Sequence, residues 1–428
     1  MQTAAVLWHV SLLVADDRRA LALGLVGLVR IVPILVFSLI SGVAADALNR
    51  RRLMLVTQSL MALLAAILAA LTLGGLRVVW PIYVLAACSS AAGAFDLPAR
   101  QSLLPTLVPR EHLANAISLN TMAFQTASVA GPALGGIMIA TTNVGWVYGA
   151  NAVSFLAVIV ALLLMSASAG REYRASYGET SPEPLRGEGG REHEAFPEAA
   201  PADAHLASAS KTFSVASAMH GLRFVFRAPL IRSTMLLDFF ATFFSSATAL
   251  LPIFAQDILG VGARGYGWLY GAPAAGALLA SAGMVRAVDH IERRGEVLIA
   301  SVLIYGAATI VFGVSHLFWL TFACLAMTGA ADTVSMVFRN LIRQLETPDY
   351  LRGRMTGVNM IFFMGGPQLG EFEAGVAANW IGPVLSVVTG GVGCIAATVW
   401  LAWATPSLRA YSRTAAAAPR VPHKIEPG

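Results

Sequence analysis

Apolar and polar positions do not alternate along this chain; they come in blocks. Cut at charged or Gly/Pro-rich breaks, the apolar blocks cover residues 1–14, 20–45, 53–73, 80–98, 115–139 and 146–165, then, after a polar interval, 230–254, 266–285, 297–314, 317–338, 355–375 and 382–403. A helix that crosses a hydrocarbon core of about 30 Å needs about 20 residues, so each block from the second onward predicts a membrane-spanning helix. The first block is the exception, because 14 residues reach only about 21 Å at 1.5 Å per residue. The expectation is a chain that opens inside helix 1, as a misassigned start codon would produce. The fold class predicted is an all-α polytopic membrane protein with two six-helix halves at 1–165 and 230–404. A cytoplasmic linker at 166–229 joins them, and a cytoplasmic tail follows at 405–428.

The block around Asn115–Ile139 contains Ala127-x-x-x-Gly131-Pro132-Ala133-Leu134-Gly135-Gly136, and the pattern returns 235 residues later as Phe362-x-x-x-Gly366-Pro367-Gln368-Leu369-Gly370-Glu371. In a soluble helix such a Gly-Pro pair terminates; within a membrane, neighbouring helices and waters re-satisfy the freed backbone groups. Each copy therefore predicts a bent membrane helix, and the repeat predicts a duplicated chain. Small residues four apart let helix backbones approach closely, which makes Gly131 and Gly135 candidates for packing on helix 8, where Gly267, Gly271, Ala275 and Gly276 form a small-residue face.

Composition agrees with the pattern, since 57% of residues are hydrophobic and only 12% charged, against roughly 25% charged in a soluble domain. No basic n-region precedes the first apolar block, so the first helix is expected to serve as its own targeting signal. Residues 166–210 turn rich in Glu, Gly, Pro and Ala and predict a disordered linker; Lys211–Arg227 then has the spacing of an amphipathic helix on the inner membrane face. The net charge of +5 is a matter of topology. Arg50, Arg51, Arg52, Arg100, Arg110, Arg286, Arg293, Arg294, Arg339, Arg343, Arg352 and Arg354 fall on the side of the linker and the tail, with only Arg18, Arg19, Arg77 and Arg264 opposite. The positive-inside rule puts the C-terminus in the cytoplasm. Cys88, Cys324 and Cys394 lie far apart in apolar blocks and read as small core residues, with no disulfide or metal framework.

After helix 2 comes Gly42-x-x-x-Asp46-Ala47-Leu48-Asn49-Arg50-Arg51-Arg52, with a degenerate copy, Asp289-His290-Ile291-Glu292-Arg293-Arg294, after helix 8. An acid followed by clustered arginines at a helix end can hold helices together by charge pairs that break when the halves rock. Together with the Gly-Pro runs, this resembles the major facilitator superfamily: the first stretch is similar to its loop 2-3 signature, with Ala47 where Arg is usual and Asn49 where Gly is usual, and the second to its exporter-type helix 5 signature. With Phe95-Asp96-Leu97-Pro98-Ala99-Arg100 added, nearly the whole chain resembles the branch that holds the enterobactin exporter and macrolide-efflux proteins. The resemblance implies twelve helices, a central cavity lined by helices 1, 4, 7 and 10, contacts of helix 2 with 11 and 5 with 8, proton-driven export, and a gating role for Asp46, Arg51 and Arg52.

Ionisable groups inside spans are expensive and are functional candidates. Asp96 precedes Arg100 by four residues, the spacing of a helical ion pair. Asp238 and Asp332 lack a partner on their own helices by this reasoning and are candidates to bind a proton or a cationic substrate. His9 can titrate or be a satisfied core residue. Arg30 and Glu371 lie about 24 to 26 Å from the cytoplasmic ends of their helices at 1.5 Å per residue and are expected to pair as an outer latch, with Glu373 in reserve. No HExxH, GxSxG or Walker pattern occurs, so neither an enzyme, a metal site nor a cofactor is expected. The predicted function is secondary active export of small amphipathic molecules by proton antiport, by a monomer whose partners are its substrate and membrane lipid, without nucleic acid. A nutrient importer on the same fold is the alternative, ahead of a channel.

Overall fold

A computed structural model describes residues 1–103, 107–109, 112–165, 226, 228–347 and 352–412. Among these the regular structure is helical: α1 (Gln2–Leu13), α2 (Asp16–Ala47), α3 (Arg50–Leu73), α4 (Trp80–Leu103), α5 (Leu113–Thr141) and α6 (Val144–Leu164), then α7 (Pro229–Phe244), α8 (Gly262–Ala287), α9 (Arg294–Val314), α10 (Phe318–Glu346), α11 (Arg352–Ile381), α12 (Pro383–Ala404) and a short α13 (Pro406–Arg409). The expected amphipathic helix at 211–227 lies outside the described residues apart from Phe226.

Local chemistry sets several boundaries. The Asn49 side chain accepts a hydrogen bond from the Arg52 amide at 3.2 Å and caps α3, and Asn143 caps α6 through the Trp146 amide at 3.3 Å; each satisfies an amide that the first turn leaves free. Asn49, the departure from the loop signature, thus has a structural use. Between α11 and α12 the chain reverses through Gly382 at φ 87°, a conformation that needs glycine. Both Gly-Pro runs sit inside continuous helices, Pro132 within α5 and Pro367 within α11.

Among the described residues, ten helices are long and apolar enough to cross a membrane. That departs from the expectation of eleven full spans: α11 is absent from the ten, its apolar run being diluted by Asn359, Gly365, Gly366, Pro367, Gln368 and Glu371, and α1 is only 12 residues long. Nor does every span stay regular. Beyond Phe244, α7 continues as a 3-10 turn at Ala247–Leu250, a single turn at Leu251–Ile253 and a π turn at Phe254–Ile258, although one apolar span runs from Pro229 to Ile258. Such interruptions mark functional bends.

The helices pack as α2 on α11, α5 on α8, α3 on α6, α9 on α12, and α10 on both α8 and α9. What matters for function is where the hydrophobic core crosses between halves. The largest cluster joins Leu7, Leu23, Leu68 and Tyr148 of the first half to Phe254, Tyr266, Phe312 and Ala378 of the second, all toward the end of the bundle that carries Arg19. At the opposite end, carrying Arg51, the clusters stay within one half: Met54, Ala99 and Leu162 in the first, Leu237, Phe338 and Leu401 in the second. Among the described residues the halves are cored together at the Arg19 end only.

Glycines make that closure possible. A Cβ on Gly136 of α5 would lie 2.7 Å from the Gly267 Cα on α8, and one on Gly24 of α2 would lie 2.9 Å from the Gly375 Cα on α11. The α5 contact with α8 runs through Gly136, not through Gly131 and Gly135, which face Met1. On α8, Gly271 meets the Val129 carbonyl as expected, whereas Gly276 turns to Ala326 of α10. In the second copy, Gly366 and Gly370 pack on Thr242 and Phe243 of α7. Cys324 and Cys394 are buried, but Cys88 is exposed and so is not a core residue.

Candidate functional site

The spacing of the predicted polar residues inside the bundle resolves into separate networks. In the first half, Asp96 on α4 is buried and accepts from the Thr57 hydroxyl at 3.0 Å, the Gln58 amide at 2.8 Å and the Arg100 guanidinium at 2.7 Å. It ties α3 to α4 with its acceptor capacity filled. His9 on α1 is buried with its Nδ1 3.3 Å from the Tyr148 hydroxyl of α6, a satisfied core contact.

Asp238 and Asp332, separated by 94 positions along the chain, are brought together by Arg339. Its guanidinium lies 2.9 Å from Asp238 on α7 and 3.0 Å from Asp332, seven residues earlier on α10. Asp332 therefore does have a partner on its own helix, contrary to the expectation: Arg339 is long enough to reach back two turns. Arg343 flanks Asp238 at 4.0 Å and donates to the Arg339 carbonyl at 3.1 Å and to Asn340 at 3.1 Å. Asp238, Arg339 and Arg343 are buried, while the Asp332 side chain is 41% exposed. Two acids against two arginines form a balanced set, held where α7 and α10 meet; Asp332 is its accessible member.

The loop residues expected to gate between halves do something else in this conformation. Arg51 donates from Nε to the Leu162 carbonyl at 2.7 Å and from Nη2 to the Leu163 carbonyl at 2.9 Å, so it closes the free end of α6 within its own half. Arg52 is exposed beside it, and the side chain of Asp46 lies outside the described residues. In the degenerate copy, Arg294 is buried and Arg293 pairs with Glu296 at 3.3 Å.

Contacts across the halves gather at the Arg19 end. Arg19 on α2 reaches Asp257 at 2.8 Å and also holds Asp16. Gln256 donates to the Ser11 hydroxyl at 2.8 Å, and the Tyr266 hydroxyl to the Ala4 carbonyl at 2.8 Å, with Trp8 against Tyr266 at 5.0 Å between ring centroids. Gln256 and Asp257 both belong to the π turn that ends α7. Arg30 on α2 and Glu371 on α11 belong to the same pair of packed helices, but they do not come within ion-pair distance, 4.0 Å. Glu371 packs instead on Gly27, whose Cβ would lie 2.9 Å from the Glu371 Cβ. Glu373 is half-buried on the same helix.

Two cavities open on the flanks. One of about 410 Å³ is lined by Arg264, Trp268, Phe318 and Trp319; one of about 680 Å³ lies between α3 and α6 beside Ala62 and Leu156. Both are lined mainly by apolar side chains. Among the described residues no group of three His, Cys, Asp or Glu could hold a metal ion.

Three comparisons bear on this arrangement. The enterobactin exporter EntS of Shigella boydii serotype 18 is 26% identical over 333 residues, 78% of this chain and 71% of that protein; the same exporter of Escherichia coli O1:K1 matches equally. In fold, a POT family transporter crystallised with 5-aminolevulinic acid superposes with a TM-score of 0.66 at 11% identity, covering 95% of this chain and 94% of the other. A D-xylose–proton symporter gives 0.65 at 11% identity with 93% of both chains covered. The sequence matches the transmembrane secretion effector family over residues 1–175 and 202–425. With its two helical halves, its repeated Gly-Pro runs and that match, the chain belongs to the transmembrane secretion effectors of the major facilitator superfamily, a multi-pass membrane transporter and not an enzyme.

Proposed function

We propose that this transporter is a secondary active exporter that moves small amphipathic molecules, of siderophore or drug type, out across a bacterial cytoplasmic membrane by alternating access in exchange for protons. The observation that carries the reading is the one-sided core: among the described residues the large hydrophobic cluster and the glycine crossings join the halves at the Arg19 end, while the clusters at the Arg51 end remain separate. A rocking transporter needs such an asymmetry, because one seam must part as the other closes. In this reading the arginine-rich Arg51 end is the cytoplasmic one, by the positive-inside rule, and the structure corresponds to the inward-facing member of the cycle. Export as the direction rests on the enterobactin exporters among the relatives. The substrate path in this reading runs past the half-exposed Asp332.

The test is transport in sealed inverted vesicles with an imposed pH gradient, using a catecholate siderophore, a macrolide and a cationic dye as probes. Uptake into inverted vesicles that are acidic inside, abolished by collapsing the gradient, is the expected result. Movement of the probe down the proton gradient in the same direction as the proton would instead establish import by symport and overturn the proposal.

A further inference from the structure

The duplication pairs each residue from Gly131 to Gly136 with one from Gly366 to Glu371, and of the two unlike pairs, Ala133 with Gln368 and Gly136 with Glu371, only the second puts an ionisable group in place of a glycine. Gly131 corresponds to Gly366, Gly135 to Gly370, and Gly136 to Glu371. In the first half this position is the α5 crossing, where Gly136 meets Gly267 of α8 backbone to backbone. In the second half it is the α11 crossing on α2, where Gly27 plays the part of Gly267 and would bring its Cβ within 2.9 Å of the Glu371 Cβ and 3.2 Å of Oε2. A carboxyl therefore stands in one of two symmetry-related seams that otherwise admit only glycine.

Its surroundings are poor for a charge. Glu371 is 6% exposed, and its Oε2 has no hydrogen-bond partner. Arg30, the cation of α2, stays beyond ion-pair distance; the polar groups near it on other elements are Thr248 of the interrupted part of α7 and Tyr266 and Tyr270 of α8, and on its own helix Gln368 adds an amide whose Oε1 is also unpartnered. An ionised carboxylate buried without a contacting cation costs several kcal/mol, whereas a neutral carboxyl has only one proton and its lone pairs to satisfy.

Resting on the export-by-antiport reading, we propose that Glu371 is the proton-carrying switch of the cycle. With the proton bound, the α2–α11 seam closes around it and the transporter faces inward. When the proton leaves, the carboxylate is drawn to Arg30 and water, the crossing at Gly27 and at Gly24–Gly375 parts, and the outer side opens. The interruption of α7 beside it gives the seam an element that can rearrange without melting a continuous helix.

The experiment uses the full chain in lipid nanodiscs, with Cys88, Cys324 and Cys394 replaced and spin labels at Arg18→Cys and Trp380→Cys, two exposed positions on the outer ends of α2 and α11. The inter-label distance is titrated with pH, without any substrate. The unsubstituted seam should be short in acid and lengthen in alkali. Glu371→Gln should remain short throughout, and Glu371→Asp should keep the transition with a displaced midpoint. Glu296→Gln, which removes an exposed carboxylate paired with Arg293 at the opposite end, should leave the transition in place. A distance that ignores pH in the parent, or a transition unchanged in Glu371→Gln, overturns the proposal; if that variant fails to fold, an unmoved midpoint in Glu371→Asp does so. pH-driven efflux is scored separately, so a Glu371-dependent opening without antiport sinks the transport reading and keeps the switch.

Discussion

Gly136 and Gly267 cross with their backbones in contact: a Cβ on the first would lie 2.7 Å from the Cα of the second, and one on the second would lie 2.6 Å from the Pro132 carbonyl oxygen. Helix–helix association in a membrane rests on such close packing, because lipid supplies no hydrophobic drive between helices. Gly136→Val should therefore force α5 and α8 apart at the outer end and cost about 1–3 kcal/mol of seam stability through overpacking. Measured in vesicles from protein of verified expression, transport should fall steeply. Gly93→Val, at a position with nothing within 4 Å, should retain it. Equal activity of the two variants would show that the crossing does not set the cycle.

How far this was legible in the sequence is a matter of depth against phase. The repeat displayed which helices carry glycines and at what depth, and the α2–α11 and α5–α8 pairing followed from the superfamily. It did not display the rotation of each helix. Gly131, Gly135 and Gly136 are equally apolar and small, yet successive residues lie about 100° apart around the axis, so only Gly136 turns to α8 while its neighbours meet α1. The same missing phase put Gly27, not Arg30, against Glu371. Asp96–Arg100 was readable because four residues is one helical turn, whereas Asp332–Arg339 spans two turns and depends on the reach of a long side chain. Arg51 on the α6 carbonyls joins residues more than a hundred positions apart, and no local pattern announces it.

The Asp238–Arg339 pair should behave as a buried structural charge. Removing one member leaves the other uncompensated, which costs about 3–5 kcal/mol. Asp238→Asn should lower the melting temperature in detergent markedly, and Asp332→Asn, whose side chain is part-exposed, should lower it less. Joint replacement as Asp238→Leu with Arg339→Met should recover much of the loss, since apolar side chains of similar size satisfy a buried site without desolvating charge. A double variant no better than Asp238→Asn would contradict this account.

Arg51 gives a sharper distinction between gate and brace. If its bonds to Leu162 and Leu163 hold the end of α6, then Arg51→Ala should speed hydrogen exchange or proteolysis in the last turn of α6, at a cost of about 1–2 kcal/mol for a part-exposed charged donor. Arg51→Lys should rescue little, because an ammonium lacks the fork that meets two carbonyls. An unaltered α6 terminus in Arg51→Ala would return this residue to the gating role that the loop signature implies.

The last expectation concerns the ion pair that closes the outer end. Arg19 and Asp257 meet at 2.8 Å, with Arg19 mostly covered and Asp257 half-exposed, and an exposed pair of this kind contributes about 0.2–1 kcal/mol. A contact that exists in only one of two states shifts their ratio by no more than its own energy, so Arg19→Gln or Asp257→Asn should raise the outward-open population by at most about fivefold. The double variant should add nothing to the larger single effect, because the two residues act as one contact. Salt should do to the parent what the substitutions do, since exposed charges are screened within about 10 Å at 0.1 M, and should do little to the variants. The measurement is the labelling rate of a single cysteine placed at the outer mouth, in a background lacking Cys88. Additive effects of the two substitutions, or a salt response that survives in both, would show that the outer end is held by the buried glycine crossings alone.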